Sequence, residues 1–237
     1  MDHGILFDHA RTSRIGLPEA VFCEGKPFEA VEELLSRFGR GSGRPILFTR
    51  LAPDIFAMMP EQIRASYDYD PLSRTAFGDA LPPKGKGRVA VISAGTADGF
   101  VAWEAARTLA YLGIGHKLFE DCGVAGLWRL AERLDEVNTF DALIVVAGLD
   151  AALASVMGGL TPKPVFAVPT SVGYGAAQGG HAALASMLSS CAPGVALLLC
   201  GICPGIQTAY WGGTISMAFS TSQVIAPPRA RISCPLR

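Results

Sequence analysis

Four segments of this chain are apolar almost throughout, the first of them a β-branched run: "RVAVISAG" (88–95), "FDALIVVAG" (140–148), "PVFAVPT" (164–170) and "GVALLLCG" (194–201). A strand with no polar face needs cover on both sides of its pleat, which confines such runs to buried, mainly parallel sheets. Between them lie stretches with helical spacing. These are "DGFVAWEAARTLAYLG" (98–113) with Gly113 as its stop, "VAGLWRLAERLDEV" (124–137), a segment around 150–159, and "GGHAALASMLSS" (179–190). "HKLFEDCG" (116–123) adds a further strand. Strand and helix alternate at least four times, which predicts an α/β fold built as a three-layer, doubly wound parallel sheet.

The first eighty residues are mixed in character. "PFEAVEELLSRFGR" (27–40) carries glutamates early and arginines late, as the helix dipole favours. "RPILFTR" (44–50) reads as a short strand, and "APDIFAMMPEQIRASY" (52–67) as a helical stretch broken at Pro60. The Pro/Gly/Lys segment "GDALPPKGKG" (78–87) reads as a linker. The expected organisation is a small N-terminal α/β domain over 1–80, a linker over 81–87, and a nucleotide-binding domain over 88–237.

Composition removes several function classes. Of 237 residues, 50% are hydrophobic and 17% charged, enough apolar material for a real core and too little charge for disorder. A net charge of −1 with scattered lysines and arginines offers no footprint for nucleic acid or an anionic membrane. From Ala182 to Pro228 there is no charged residue, but Ser189, Ser190, Pro193 and Gly194 interrupt the run, so a buried strand and helix account for it without a membrane span. The charged N-terminus has no apolar core ahead of a cleavage site, and the six cysteines are irregularly spaced. A cytoplasmic protein with reduced thiols is expected. The Cys200–Cys203 pair has no second pair or nearby histidine and is not read as a zinc or redox site.

In doubly wound sheets ligands bind beyond the carboxyl ends of the strands. Four such ends here carry small or polar residues: "SAGTAD" (93–98), "EDCG" (120–123), "AGLD" (147–150) and "PTSVGYG" (169–175). Glycine permits close backbone approach, and free amides at helix starts favour phosphate. None is a Walker loop or a GxGxxG, so the residues imply only a site for a phosphorylated small molecule. "SSCAPG" (189–194) places Cys191 in an apolar setting, where a core cysteine and a nucleophile are both open readings.

Taken in order, "VISAGTAD", "EDCGVAGLWRL", "VVAGLDAALASVMGGL", "PVFAVPTSVGYGAAQGG" and "MLSSCAPGV" resemble the LarB family of nickel-pincer nucleotide cofactor synthesis. "GLPEAVFCEGK" (16–26) and "ILFTRL" (46–51) look like that family too, so the resemblance spans roughly 1–195. From about 88 onward the chain is also similar to the PurE class of aminoimidazole ribonucleotide carboxylases.

The resemblance implies a carboxylase and hydrolase. It would add a carboxylate to C5 of the pyridinium ring of nicotinic acid adenine dinucleotide, from CO2 or bicarbonate, and release AMP. Cys191 occupies the family's nucleophile position. Asp150, where the family has glutamate, is a candidate base or metal ligand, with a helix cap as the alternative. Asp98 and Asp121 are candidates for ribose or metal. Ser93, Thr96, Thr170, Ser171 and Tyr174 are candidate phosphate or nucleotide contacts, and Lys26 of the N-terminal motif a phosphate contact. His181 is read as packing or surface. Mg²⁺ or another divalent cation is expected, with no organic cofactor. The expected partners are the dinucleotide, CO2 or bicarbonate, and further copies of the chain, with no nucleic acid or membrane. A PurE-like aminoimidazole ribonucleotide carboxylase and a catalytically impaired nucleotide-binding homologue are the alternatives. The chain departs from the family at Trp128, where the family has histidine, and after "GVALL", where its Asn/Asp-rich loop is replaced.

Overall fold

A computed structural model of the chain describes residues 6–8, 10–15, 18–83 and 85–197. The replaced ending from 198 onward, with the Cys200–Cys203 pair, lies outside the described residues. In chain order the first elements are α1 (Arg11–Ile15), β1 (Ala20–Phe22), α2 (Phe28–Arg37), β2 (Leu47–Thr49), α3 (Pro53–Ala57), α4 (Glu61–Ala65), β3 (Asp68–Asp70) and β4 (Thr75–Phe77). They are followed by β5 (Arg88–Ser93), α5 (Gly99–Tyr111), β6 (Gly115–Phe119), α6 (Leu127–Ala131) and α7 (Leu134–Val137). The last are β7 (Ala142–Ala147), α8 (Ala152–Leu160), β8 (Val165–Pro169), α9 (His181–Leu188) and β9 (Val195–Leu197).

The later strands form a five-stranded, all-parallel sheet in the order β6-β5-β7-β8-β9. Alternation along each strand divides its side chains between two cores. Val89, Val91, Ile144 and Val146 pack with α5 on one face. Ala90, Ile92, Leu143 and Val145 pack with Leu130 of α6, Leu153 and Met157 of α8, and Met187 of α9 on the other. This is the doubly wound, three-layer α/β fold that the apolar runs predict.

The earlier strands form a smaller mixed sheet, β1-β2-β4-β3, in which only β1 and β2 run parallel. Three-residue strands are too short to display a period of two, so β1, β3 and β4 leave no pattern in the sequence. Local chemistry closes the β3–β4 turn instead: Asp70 Oδ2 accepts from Ser73 N at 2.8 Å and from Ser73 Oγ at 2.5 Å. Pro60 divides the helical stretch into α3 and α4, as its missing N–H requires.

Leu47 and Phe77 of the small sheet pack against Val101, Ala105 and Leu109 of α5. Arg107 adds hydrogen bonds to Thr75 Oγ1 at 2.7 Å and Asp68 O at 2.8 Å. Its ion pair with the half-exposed Asp68 contributes at most about 1 kcal/mol, whereas each buried leucine or phenylalanine contributes roughly 1.5–3 kcal/mol. The apolar seam therefore decides the joint.

One expected element differs. The stretch 124–137, predicted as a single helix, is a 3-10 turn followed by α6 and α7. Arg133 N bonds to Leu130 O, three residues back, and its guanidinium reaches to Glu120 O at 2.5 Å. Pulling that side chain onto the end of β6 tightens the backbone out of the α-helical ladder. No helix among the described residues is long and apolar enough to cross a membrane.

Candidate functional site

Because β6 lies on one side of β5 and β7 on the other, the strand order reverses between β5 and β7. Chain crossings there leave in opposite directions and open a crevice. A pocket of about 970 Å³ occupies that place, lined by residues from all four loops that leave β5, β6, β7 and β8. It brings together Thr96, Asp98, Asp121, Asp150 and Tyr174 from the sequence-predicted set.

Two of these project freely. Thr96 is exposed, and Tyr174 is 79% exposed at the rim. Asp150 is also exposed, and its one hydrogen bond among the described residues comes from Ala152 N at a long 3.4 Å. The cap that it provides to α8 is therefore weak. Leu149 and Ala151 on either side both have left-handed backbones, with φ of 54° and 51°. Each costs an L-residue about 1–2 kcal/mol, and together they lift the Asp150 carboxylate clear of the helix start.

Asp98 has a different environment. It is only 4% exposed, and its oxygens accept from Thr170 Oγ1 at 2.7 Å and from Gly95 N at 3.0 Å. The nearby Gly148 amide also favours its charged form. Burial pushes its carboxyl above the usual range, against the pull of these three groups. Thr170 is wholly buried, as is Ser93, whose Oγ has no partner among the described residues. Gly148 has no alternative here: a Cβ on it would sit 2.3 Å from Val172 O and 2.6 Å from Thr170 Oγ1.

The reading of the sequence missed Arg129. It lines the pocket from α6, with Nη1 held by Asp121 Oδ2 at 2.7 Å, while its buried Nε has no hydrogen bond among the described residues. The half-exposed Asp121 takes a left-handed backbone to meet it. A fixed guanidinium with donors to spare suits a phosphate or carboxylate. An aspartate in a strand-end loop followed eight residues later by an arginine was the available signal. Trp128 beside it is 64% exposed.

Ser171 is exposed but does not line the pocket, and Lys26 lies away from it, in the β1–α2 loop of the small sheet. Cys191 is the exposed thiol among the described cysteines; Cys23 and Cys122 are buried. Burial pushes the Cys23 thiol up to about 12, and raises that of Cys122 despite the nearby Arg133. Cys191 does not line the pocket either. It precedes β9, and Gly194 O accepts from Val165 N at the amino end of β8, so the thiol stands at the opposite edge of the sheet. The five residues of β8 alone span roughly 16 Å. The loop is seated by a Ser155 Oγ–Ser190 Oγ hydrogen bond of 2.8 Å and by Gly158, where a Cβ would fall 2.7 Å from that of Ala192.

Among the described residues, no three His, Cys, Asp or Glu side chains converge as a metal cluster. Asp121 is committed to Arg129, which leaves Asp150 as the exposed carboxylate of the pocket with little to hold it. One such carboxylate fits Mg²⁺ when substrate phosphates complete the shell.

Residues 4–79 match the family model of the LarB/PurE-like N-terminal domain, and residues 88–224 match that of AIR carboxylase. An uncharacterized protein of Methanocaldococcus jannaschii is 30% identical over 225 residues, covering 91% of this chain and 85% of its own length.

Proposed function

The chain belongs to the LarB family, with a PurE-like AIR carboxylase domain, and from that premise we propose that it carboxylates nicotinic acid adenine dinucleotide at C5 of the pyridinium ring and releases AMP. The observation that carries this reading is the switch-point pocket. It is large enough for a nucleotide, with an arginine free to take an anion and a lifted carboxylate in the neighbouring loop.

A pyridinium ring is electron-poor and does not attack CO2. Addition of the Cys191 thiolate at the ring carbon next to C5 forms a C–S bond and moves an electron pair into the ring. The resulting dihydropyridine is an enamine, nucleophilic at C5, and it captures CO2 through a new C–C bond. Asp150 then takes the C5 proton, and the C–S electrons return to sulfur as the thiolate leaves and aromaticity is restored. Arg129 holds a phosphate or the new carboxylate. Water cleaves the phosphoanhydride to give AMP and the dicarboxylated mononucleotide. A divalent cation bound at Asp150 would supply Lewis-acid polarisation of the phosphoanhydride.

Cys191 and the pocket lie at opposite edges of one sheet, so the covalent route requires that a neighbouring copy present its Cys191 to the pocket. The expected assembly is therefore a homo-oligomer with a head-to-tail contact. None of the described thiols lines the pocket, which favours one other reading, PurE-like carboxylation of aminoimidazole ribonucleotide, which needs no thiolate. Incubation with nicotinic acid adenine dinucleotide, bicarbonate and Mg²⁺ followed by mass spectrometry separates the two. AMP together with the dicarboxylated mononucleotide supports the proposal. Turnover of aminoimidazole ribonucleotide alone overturns it in favour of the second reading, and no turnover of either leaves a nucleotide-binding homologue without catalysis.

A further inference from the structure

Asp98 sits where a ligand contact is expected, yet its hydrogen bonds run to the protein. Thr170 Oγ1 belongs to the loop after β8 and Gly95 N to the loop after β5. One carboxyl group thus ties together two of the four loops that shape the pocket, and Thr170 and Val172 extend the tie to the loop after β7. Further bonds lock the same node: Val172 N to Thr170 Oγ1 at 3.3 Å, Leu149 N to Val172 O at 2.8 Å and Thr170 N to Ala147 O at 3.1 Å.

Asp150 lies two residues beyond Gly148, between left-handed Leu149 and Ala151. Backbone strain of this kind persists only where the surroundings over-determine it. The α8 cap is too weak to do so, whereas the Asp98 node grips the loop on its N-terminal side. We propose that Asp98 is a positioning residue: through Thr170, and through the bonds that Thr170 and Val172 make with Ala147 and Leu149, it holds the Asp150 loop in its strained form, and it does not itself contact substrate. The inference rests on the reading of Asp150 as the base.

The test compares Asp98→Asn, Thr170→Val and Thr170→Ser with the wild-type chain. Valine keeps the shape of threonine and removes the hydroxyl, serine keeps the hydroxyl, and asparagine sets an N–H against a backbone donor. Formation of AMP and the dicarboxylated mononucleotide is followed, with amide hydrogen exchange over 148–152 and 170–173. Asp98→Asn and Thr170→Val should lower kcat about tenfold or more, leave KM within about twofold, and speed exchange in both segments. Thr170→Ser should recover most of kcat and the slow exchange. A rise in KM with kcat retained overturns the proposal, because it marks a direct substrate contact. Unchanged exchange in Asp98→Asn and Thr170→Val overturns it too. A wild-type chain that makes no product defeats the proposed reaction, and the exchange series then judges the clamp alone.

Discussion

The two edges of the five-stranded sheet are built differently. At the carboxyl edge the loops are glycine-bearing and tied to one another, and they line the pocket with Arg129, Asp121 and Asp150. At the amino edge the α9–β9 loop is seated on Gly158 and Ser155 and carries one exposed thiol. The thiol and the pocket therefore stand at opposite edges of the sheet within one chain. On the proposed reaction, one edge would bind and the other would supply the nucleophile to a neighbouring copy.

The largest effect comes from mixing. Cys191→Ala and Asp150→Asn should each abolish ring carboxylation. Mixed at equal amounts under conditions that allow subunit exchange, they should regain about a quarter of the wild-type rate, from random pairing of intact pockets with intact thiols. Product formation by mass spectrometry reads the outcome. Failure to regain any activity after confirmed exchange would break the comparison, because the thiol would then serve its own chain or take no part.

A smaller effect separates two glycines. Gly148→Ala drives a Cβ into Val172 O at the carboxyl edge and should cost about 1–3 kcal/mol, with weakened nucleotide binding by calorimetry. Gly158→Ala crowds Ala192 and Val195 at the amino edge. It should slow carboxylation while nucleotide affinity stays within about twofold, because only the Cys191 loop moves. Equal loss of binding in both variants would show that the edges are not independent.

The smallest effect has the opposite sign. Ala151→Gly relieves a left-handed backbone, and after the entropy cost of glycine it should stabilise the chain by about 0.5–1 kcal/mol. Denaturant titration measures it, and a destabilised variant would refute the strain. Looser presentation of Asp150 should accompany the gain as a modest fall in rate.

How much was legible follows from element length. The runs 88–95 and 140–148 are long enough to reveal burial on both faces, and they appear as β5 and β7 at the centre of the sheet. β1, β3 and β4 are three residues each, held by a hairpin turn and by α5, so composition carried no trace of them. The positions of Thr96, Asp121, Asp150 and Tyr174 on the pocket were legible because loops that follow the strands of this fold share one edge. Arg129 was not, because inside "LWRL" it reads as an ordinary helical charge and only the fold turns it toward Asp121.

The local alternation of apolar runs and amphipathic stretches determined the layered α/β fold, since burial on both faces admits few other arrangements. It also determined which loops share the carboxyl edge, because each follows a parallel strand, whereas the place of the switch point came only with the strand order. Tertiary structure alone decided that Asp98 is spent on Thr170 and Gly95 while Asp150 stands free, because Asp98 and Thr170, 72 positions apart, meet only after the sheet is assembled. It decided likewise that Cys191 stands at the edge away from the pocket: β9 pairs parallel to β8, so the loop that leads into it emerges at the amino edge, and pairing between separate segments is made only in the assembled sheet.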